Sequence, residues 1–176
     1  MRASALRTVS VVGRHNSGKT TFLLALLPVL VRRGLRVGYL KHAHAGFELD
    51  HPGKDSYRAR RTGVLQTIVT GGGQTAVIDD AGEGAIGEVI ARYAREDLDL
   101  LVVEGFKREP MPKIEVARLA VRGGELMCAA DPLLIAVVSD FTPARRDVAH
   151  FAMADPGGVA DLIWRRVLGR EAVAAT

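Results

Sequence analysis

The apolar positions of this chain switch between two periods, close to 2 and close to 3.6, and the switches mark its elements. Thr8, Val9, Ser10, Val11 and Val12 form a run rich in β-branched residues that stops at Gly13, which predicts a buried strand. After Gly18 the period lengthens. Phe22, Leu26, Val29 and Leu30 share one helical face as far as about Arg33, and Leu23, Leu24 and Leu27 widen it. Pro28 lies inside this helix, where it removes a backbone hydrogen bond and predicts a bend, and Gly34 supplies the stop. A second strand is predicted over residues 36–40, followed by an irregular stretch over 41–52 of a length that usually marks a functional or mobile loop. Asp55 is placed to cap a short helix reaching Thr62 and ended by Gly63. Residues 65–70 predict a third strand, Gly71-Gly72-Gly73 a flexible turn, and 75–78 form a short apolar run.

The second half repeats the alternation. Ile86, Val89, Ile90 and Tyr93 predict an amphipathic helix over 83–94, and residues 98–103, apolar except at Asp99, a buried strand. Ile114, Val116 and Arg118 alternate with their neighbours and Gly123-Gly124 follows, which predicts a hairpin over 113–129. A further buried strand is predicted over 133–138. The closing helix spans 159–170, with Val159, Leu162, Ile163 and Val167 facing inward and Trp164 in the core. Strands alternating with helices define an α/β fold: a mainly parallel sheet with helices on both faces, here with an added β-hairpin as an antiparallel edge or oligomer contact. The 176 residues suit one domain.

Composition narrows the function classes. Hydrophobic residues make up 48%, enough for one core. The formal net charge of +4 permits anionic ligands but shows no basic cluster of the kind nucleic-acid binders carry. The single cysteine, Cys128, rules out an internal disulfide and suits a reducing cytoplasm, with the thiol expected as a small apolar core group. No signal peptide is read in the short basic start, and no apolar run reaches a membrane span.

The chemistry concentrates in Gly13-Arg14-His15-Asn16-Ser17-Gly18-Lys19-Thr20, which matches G-x-x-x-x-G-K-[ST] without a mismatch. Glycines let the backbone curl so that successive amides face anionic oxygens, and the helix that follows adds its positive dipole end. This P-loop therefore predicts an α/β fold of the P-loop NTPase type that binds a nucleoside triphosphate. Lys19 reaches the β- and γ-phosphates, and the Thr20 hydroxyl suits Mg²⁺. Glu104 ends the 98–103 strand, where a carboxylate can orient Mg²⁺ as a Walker B acid does. Lys41, His42 and His44 follow a strand, so they fall at the ligand-binding edge, with His51 as a further histidine. Asp50 reads either as a catalytic switch aspartate near Mg²⁺ or the attacking water, or as a turn former. Arg58, Arg60 and Arg61 read as a solvated helix face, or as anion ligands for a pterin phosphate. Ser139-Asp140 ends a late strand without an Asn-Lys-x-Asp sequence, leaving Asp140 a weak base reader. Arg14 is a candidate charge-stabilising arginine, and no arginine finger is assignable.

Residues 13–21, Lys41-His42-Ala43-His44, residues 50–56, Val103-Glu104-Gly105-Phe106-Lys107 and Pro112-Lys113-Ile114-Glu115 occur in an order that resembles the molybdopterin-guanine dinucleotide biosynthesis protein B (MobB) family across most of residues 8–141. The resemblance implies a homodimeric GTP-binding protein with weak GTPase activity and an extra β segment. It would work beside the molybdenum-cofactor nucleotidyltransferase that attaches GMP to molybdopterin. Residues 13–21 would hold GTP phosphates, and Glu104 falls at the family's strand-end acid. Ala45 departs from the histidine-like or polar residue often found there. Two other classes fit the P-loop: an ATP-dependent kinase of a small molecule, and a scaffold that keeps nucleotide as a structural ligand.

Overall fold

The structure is a computed structural model that describes residues 6–43, 46–80, 82 and 84–171. Two compact units divide the chain. The first runs to His42 and resumes at Arg95, and the second is Ala43–Ala94.

The first unit is built on a six-stranded sheet. Its strands are Arg7–Val12 (β1), Val37–Lys41 (β2), Leu100–Glu104 (β5), Lys113–Ala117 (β6), Leu134–Ser139 (β7) and Ala149–Ala152 (β8), in the order β2-β5-β1-β6-β7-β8. Every pairing in it is parallel. Lys19–Arg32 (α1) and Pro156–Leu162 (α4), which continues as a π-helix over Ile163–Val167, cover one face. On that face Val9 and Val11 meet Phe22, Leu26, Leu30, Val159 and Ile163, all at most 1% exposed. Burying each of these side chains stabilises the fold by roughly 1.5–3 kcal/mol. The period of 2 sends Val12 to the opposite face, where it packs with Leu134, Val137 and Cys128. Leu24, expected to widen the apolar face of α1, is 69% exposed, so the helix buries a narrower stripe than its leucine content suggested. Asp155 caps α4 by accepting the Gly158 amide at 2.8 Å, with Pro156 in the first turn.

The second unit holds Asp55–Arg60 (α2), Gln66–Gly71 (β3), Gln74–Asp79 (β4) and Ile86–Tyr93 (α3). Strands β3 and β4 form an antiparallel hairpin. Gly72 and Gly73 take φ values of 57° and 78°, the two left-handed positions of a type I′ turn. Asp55 does not cap α2. Lys54 occupies the cap position, no side chain bonds there, and Asp55 lies in the first turn with its side chain in solvent.

The hairpin expected over 113–129 is absent. Residues 113–117 form the inner strand β6, after which the chain turns and makes a short 3₁₀ segment at Arg122–Gly124. Lys113 and Glu115 gave the segment a half-solvated pattern, yet each is 1% exposed. Lys113 Nζ pairs with Asp131 at 2.9 Å and donates to the carbonyls of Glu109 and Met111. Glu115 accepts the amides of Met127 and Cys128 at 2.5 and 2.9 Å. Buried polar groups satisfied in this way alternate in sequence like a surface strand. Strand β8 went unpredicted because it is only four residues long and follows a stretch rich in charge.

Candidate functional site: a phosphate cradle at the carboxyl edge of the sheet

Parallel pairing brings the carboxyl ends of β1, β2, β5 and β6 to one edge, the usual position for ligands in such sheets. Glu104 pairs in register with Val11 on one side and Lys41 on the other, which sets it beside the loop after β1. That loop, residues 13–18, leads directly into α1. Gly13 and Gly18 have φ values of 149° and 89°, and Asn16 takes the left-handed value of 61°. Ser17 N donates to the Arg14 carbonyl at 3.2 Å and closes the turn. A Cβ on Gly13 would stand 2.3 Å from the Val116 carbonyl and 2.8 Å from Ser17 Oγ, so only glycine fits. His15 and Asn16 are exposed at the loop's crest, and Thr20 and Thr21 are exposed in the first turn of α1.

Lys19 Nζ folds over this loop, donating to the carbonyls of Gly13 and Arg14 at 2.8 and 2.7 Å. Its pKa is lowered, chiefly by burial and further by Lys41, while Glu104 opposes the shift. Glu104 is 7% exposed and accepts the Tyr39 hydroxyl. Burial, followed by that hydrogen bond, pushes the phenol's pKa up. The loop after β5 is fixed from both sides, since Gly105 N donates to the Val11 carbonyl and Ser10 Oγ donates to the Gly105 carbonyl. The His42 ring stacks at a tilt on Phe106, with centroids 4.7 Å apart.

Ser17 Oγ is buried without a hydrogen-bond partner, an unmet polar group inside the loop. The first amides of α1 also lack intrahelical acceptors by construction. The loop therefore offers donors to a bound anion, and the residues present fit a nucleotide phosphate with Mg²⁺. Thr20 and Glu104 supply hard oxygen ligands of the kind Mg²⁺ takes beside phosphate and water.

The other expected residues are distributed as follows. Arg14 is tied to Glu125 by an ion pair of 2.7 Å. Asp50 belongs to the second unit, where one carboxylate oxygen accepts from His51 N and Ser56 Oγ and the other is buried without a partner. It lines a cavity of about 620 Å³ with Tyr57, Arg60 and Arg61. Arg60 is held by Asp80 through two bonds of 3.0 and 2.6 Å. Asp140 accepts the Leu119 amide at 2.8 Å. His44 and Ala45 lie outside the described residues. Trp164 is partly buried and donates to the Glu171 carbonyl. Sequence reading missed Arg118 at the end of β6. Its Nε lies 3.1 Å, and its Nη2 3.3 Å, from where a Cβ on Gly18 would stand. Reading residues 113–117 as a parallel strand would have placed Arg118 at the ligand edge.

A parallel sheet whose first strand runs through a glycine-rich loop into a helix, with an acid ending the neighbouring strand, defines a fold of the P-loop NTPase type. Residues 8–140 match the family described as molybdopterin guanine dinucleotide synthesis protein B, and the chain belongs to this MobB family. It is 39% identical over 150 residues to a molybdopterin-guanine dinucleotide biosynthesis adapter protein of Escherichia coli (strain K12), covering 84% of this chain and 85% of the relative. An adapter protein of the same description from Haemophilus influenzae is 37% identical over 111 residues, 62% of each chain. The crystal structure of Bacillus subtilis MobB superposes with a TM-score of 0.72 at 28% identity, covering 94% of this chain and all of that one. A MobB homolog from Bacillus stearothermophilus gives 0.67 at 27% identity, covering 93% and 99%.

Proposed function

We propose that this chain is an adapter in molybdopterin-guanine dinucleotide biosynthesis that binds GTP with Mg²⁺ and hydrolyses it slowly, beside the nucleotidyltransferase that joins GMP to molybdopterin. The observation carrying the nucleotide reading is the cradle itself. Gly13 leaves room for nothing larger, Ser17 Oγ is buried and unmet, and Lys19 Nζ lies on the loop at the Gly13 and Arg14 carbonyls. Guanine is favoured over adenine by family membership.

In this reading Gly13, Arg14, His15, Asn16, Ser17, Gly18, Lys19, Thr20 and Thr21 enclose the phosphates, and Thr20 and Glu104 hold Mg²⁺. The metal they hold would supply neutralisation of the charge that grows on the phosphate oxygens. Lys19 and the loop amides stabilise the same charge as water attacks the γ-phosphorus in line and the β–γ bridging oxygen leaves. Arg14 is committed to Glu125, which leaves the γ-phosphate short of a guanidinium and makes turnover slow. The homodimer reading attaches to the β3–β4 hairpin, where Ile68, Val69 and Val77 are 61%, 46% and 42% exposed. A cytoplasmic setting agrees with the single reduced cysteine.

The test is calorimetric titration of the wild type and Lys19→Ala with GTP·Mg²⁺, alongside thermal shifts with GTP, ATP and their diphosphates. Submicromolar to micromolar GTP binding that Lys19→Ala weakens at least tenfold is expected. Wild-type affinity in the lysine variant would refute the cradle assignment, and stabilisation by ATP alone would favour a kinase.

A further inference from the structure

The cradle is asymmetric in charge. Sheet order places Glu104, the end of β5, at one side of β1 and Arg118, the residue after β6, at the other. Arg118 is half-buried, and among the described residues its guanidinium takes part in no hydrogen bond or ion pair. It packs on Gly18, the residue that opens α1, together with Met153. It also bounds a small cleft with Arg14, Ser17, Val121 and Glu125, and Ser17 carries the unmet hydroxyl there. Its nitrogens reach solvent and have no protein acceptor among the described residues, so they stand available beside the loop, where an anion would take charge-assisted hydrogen bonds from them.

Direction follows from the metal side. Glu104 would hold the Mg²⁺ that neutralises charge at the γ end of a triphosphate, so that end would lie on the β5 side. The α-phosphate and nucleoside then extend the other way, over the ends of β6 and β7.

We infer that Arg118 is a nucleotide-contacting residue, gripping the α- and β-phosphates from the β6 side of the loop. The inference rests on the proposed GTP site and extends it. Arg118 so placed adds affinity for di- and triphosphate alike and leaves the γ-phosphate untouched, in keeping with slow turnover.

The experiment is calorimetry of the full chain with GTP·Mg²⁺ and with GDP·Mg²⁺, for the wild type, Arg118→Ala, Arg118→Lys, Arg118→Gln and Lys19→Ala. Arg118→Ala should weaken both nucleotides by roughly 10- to 100-fold. Lysine should restore part of the loss and glutamine little, because the contact needs charge. Thermal melts of the nucleotide-free variants should stay close to the wild type, since among the described residues the half-buried Arg118 guanidinium has no hydrogen bond or ion pair to lose. Wild-type affinity in Arg118→Ala or Arg118→Gln, with Lys19→Ala impaired, would overturn the inference and spare the GTP site. A loss for GTP without one for GDP would overturn the α,β placement. Absence of nucleotide binding by the wild type would instead remove the proposed function itself.

Discussion

Gly13→Ala is the sharpest probe of the cradle. The added methyl would stand 2.3 Å from the Val116 carbonyl, a backbone atom of β6, and 2.8 Å from Ser17 Oγ. Neither can step aside easily, because Val116 is in the core of the sheet and Ser17 is 1% exposed. The backbone also sits at φ 149°, where an L-residue is strained. Strain of roughly 1–3 kcal/mol and overpacking of a similar size sum to about 2–6 kcal/mol if the loop holds its shape. That is a large part of a typical domain's stability. If the loop instead shifts, stability recovers but the amides no longer converge, and binding is lost. Urea unfolding and GTP·Mg²⁺ calorimetry on the same sample read both quantities. Strain can move from one to the other, but it cannot vanish from both. A variant with wild-type stability and wild-type affinity would refute the account of this loop.

Further outcomes follow from buried groups beside the site. Lys113→Met removes one half of a buried pair and leaves two carbonyls unmet. It should cost about 3 kcal/mol in urea unfolding, the low end for such a loss because Asp131 keeps 23% side-chain exposure. A cost below about 0.5 kcal/mol would refute the pairing. The Lys113 hydrogen bond and the Leu133 amide depress the pKa of Asp131 below its ordinary 3.8. Its contribution is therefore complete above 3.8 and is lost as pH falls through the lower native value. Asp131→Asn should flatten this acid limb of a stability–pH profile, and an unchanged limb would contradict it. Burial first, then Glu115 and Asp131, push the Cys128 thiol up to about 11. Alkylation at mildly alkaline pH should be slow in the native protein and fast in denaturant, and equal rates would place the thiol at the surface.

Elements whose pattern has one physical reading were legible from residue order alone. The phosphate loop is such a case, since residue type and spacing dictate its shape: glycines where φ is positive, a lysine one residue into the helix, a strand before and a helix after. Glu104 was legible for a similar reason, because a carboxylate ending a wholly apolar strand falls at the edge where ligands bind. Whatever depends on partners far along the chain became visible only in the folded molecule. Lys113 and Glu115 look solvated until Asp131 and the amides of Met127 and Cys128 are brought to them, and so an inner parallel strand resembled a hairpin arm. The same folding step carries Arg118 to the start of α1, about a hundred residues away in sequence. Local periodicity records which face a residue turns to. It does not record what waits on that face, because the free energy of a buried charge is set by neighbours that only the fold assembles.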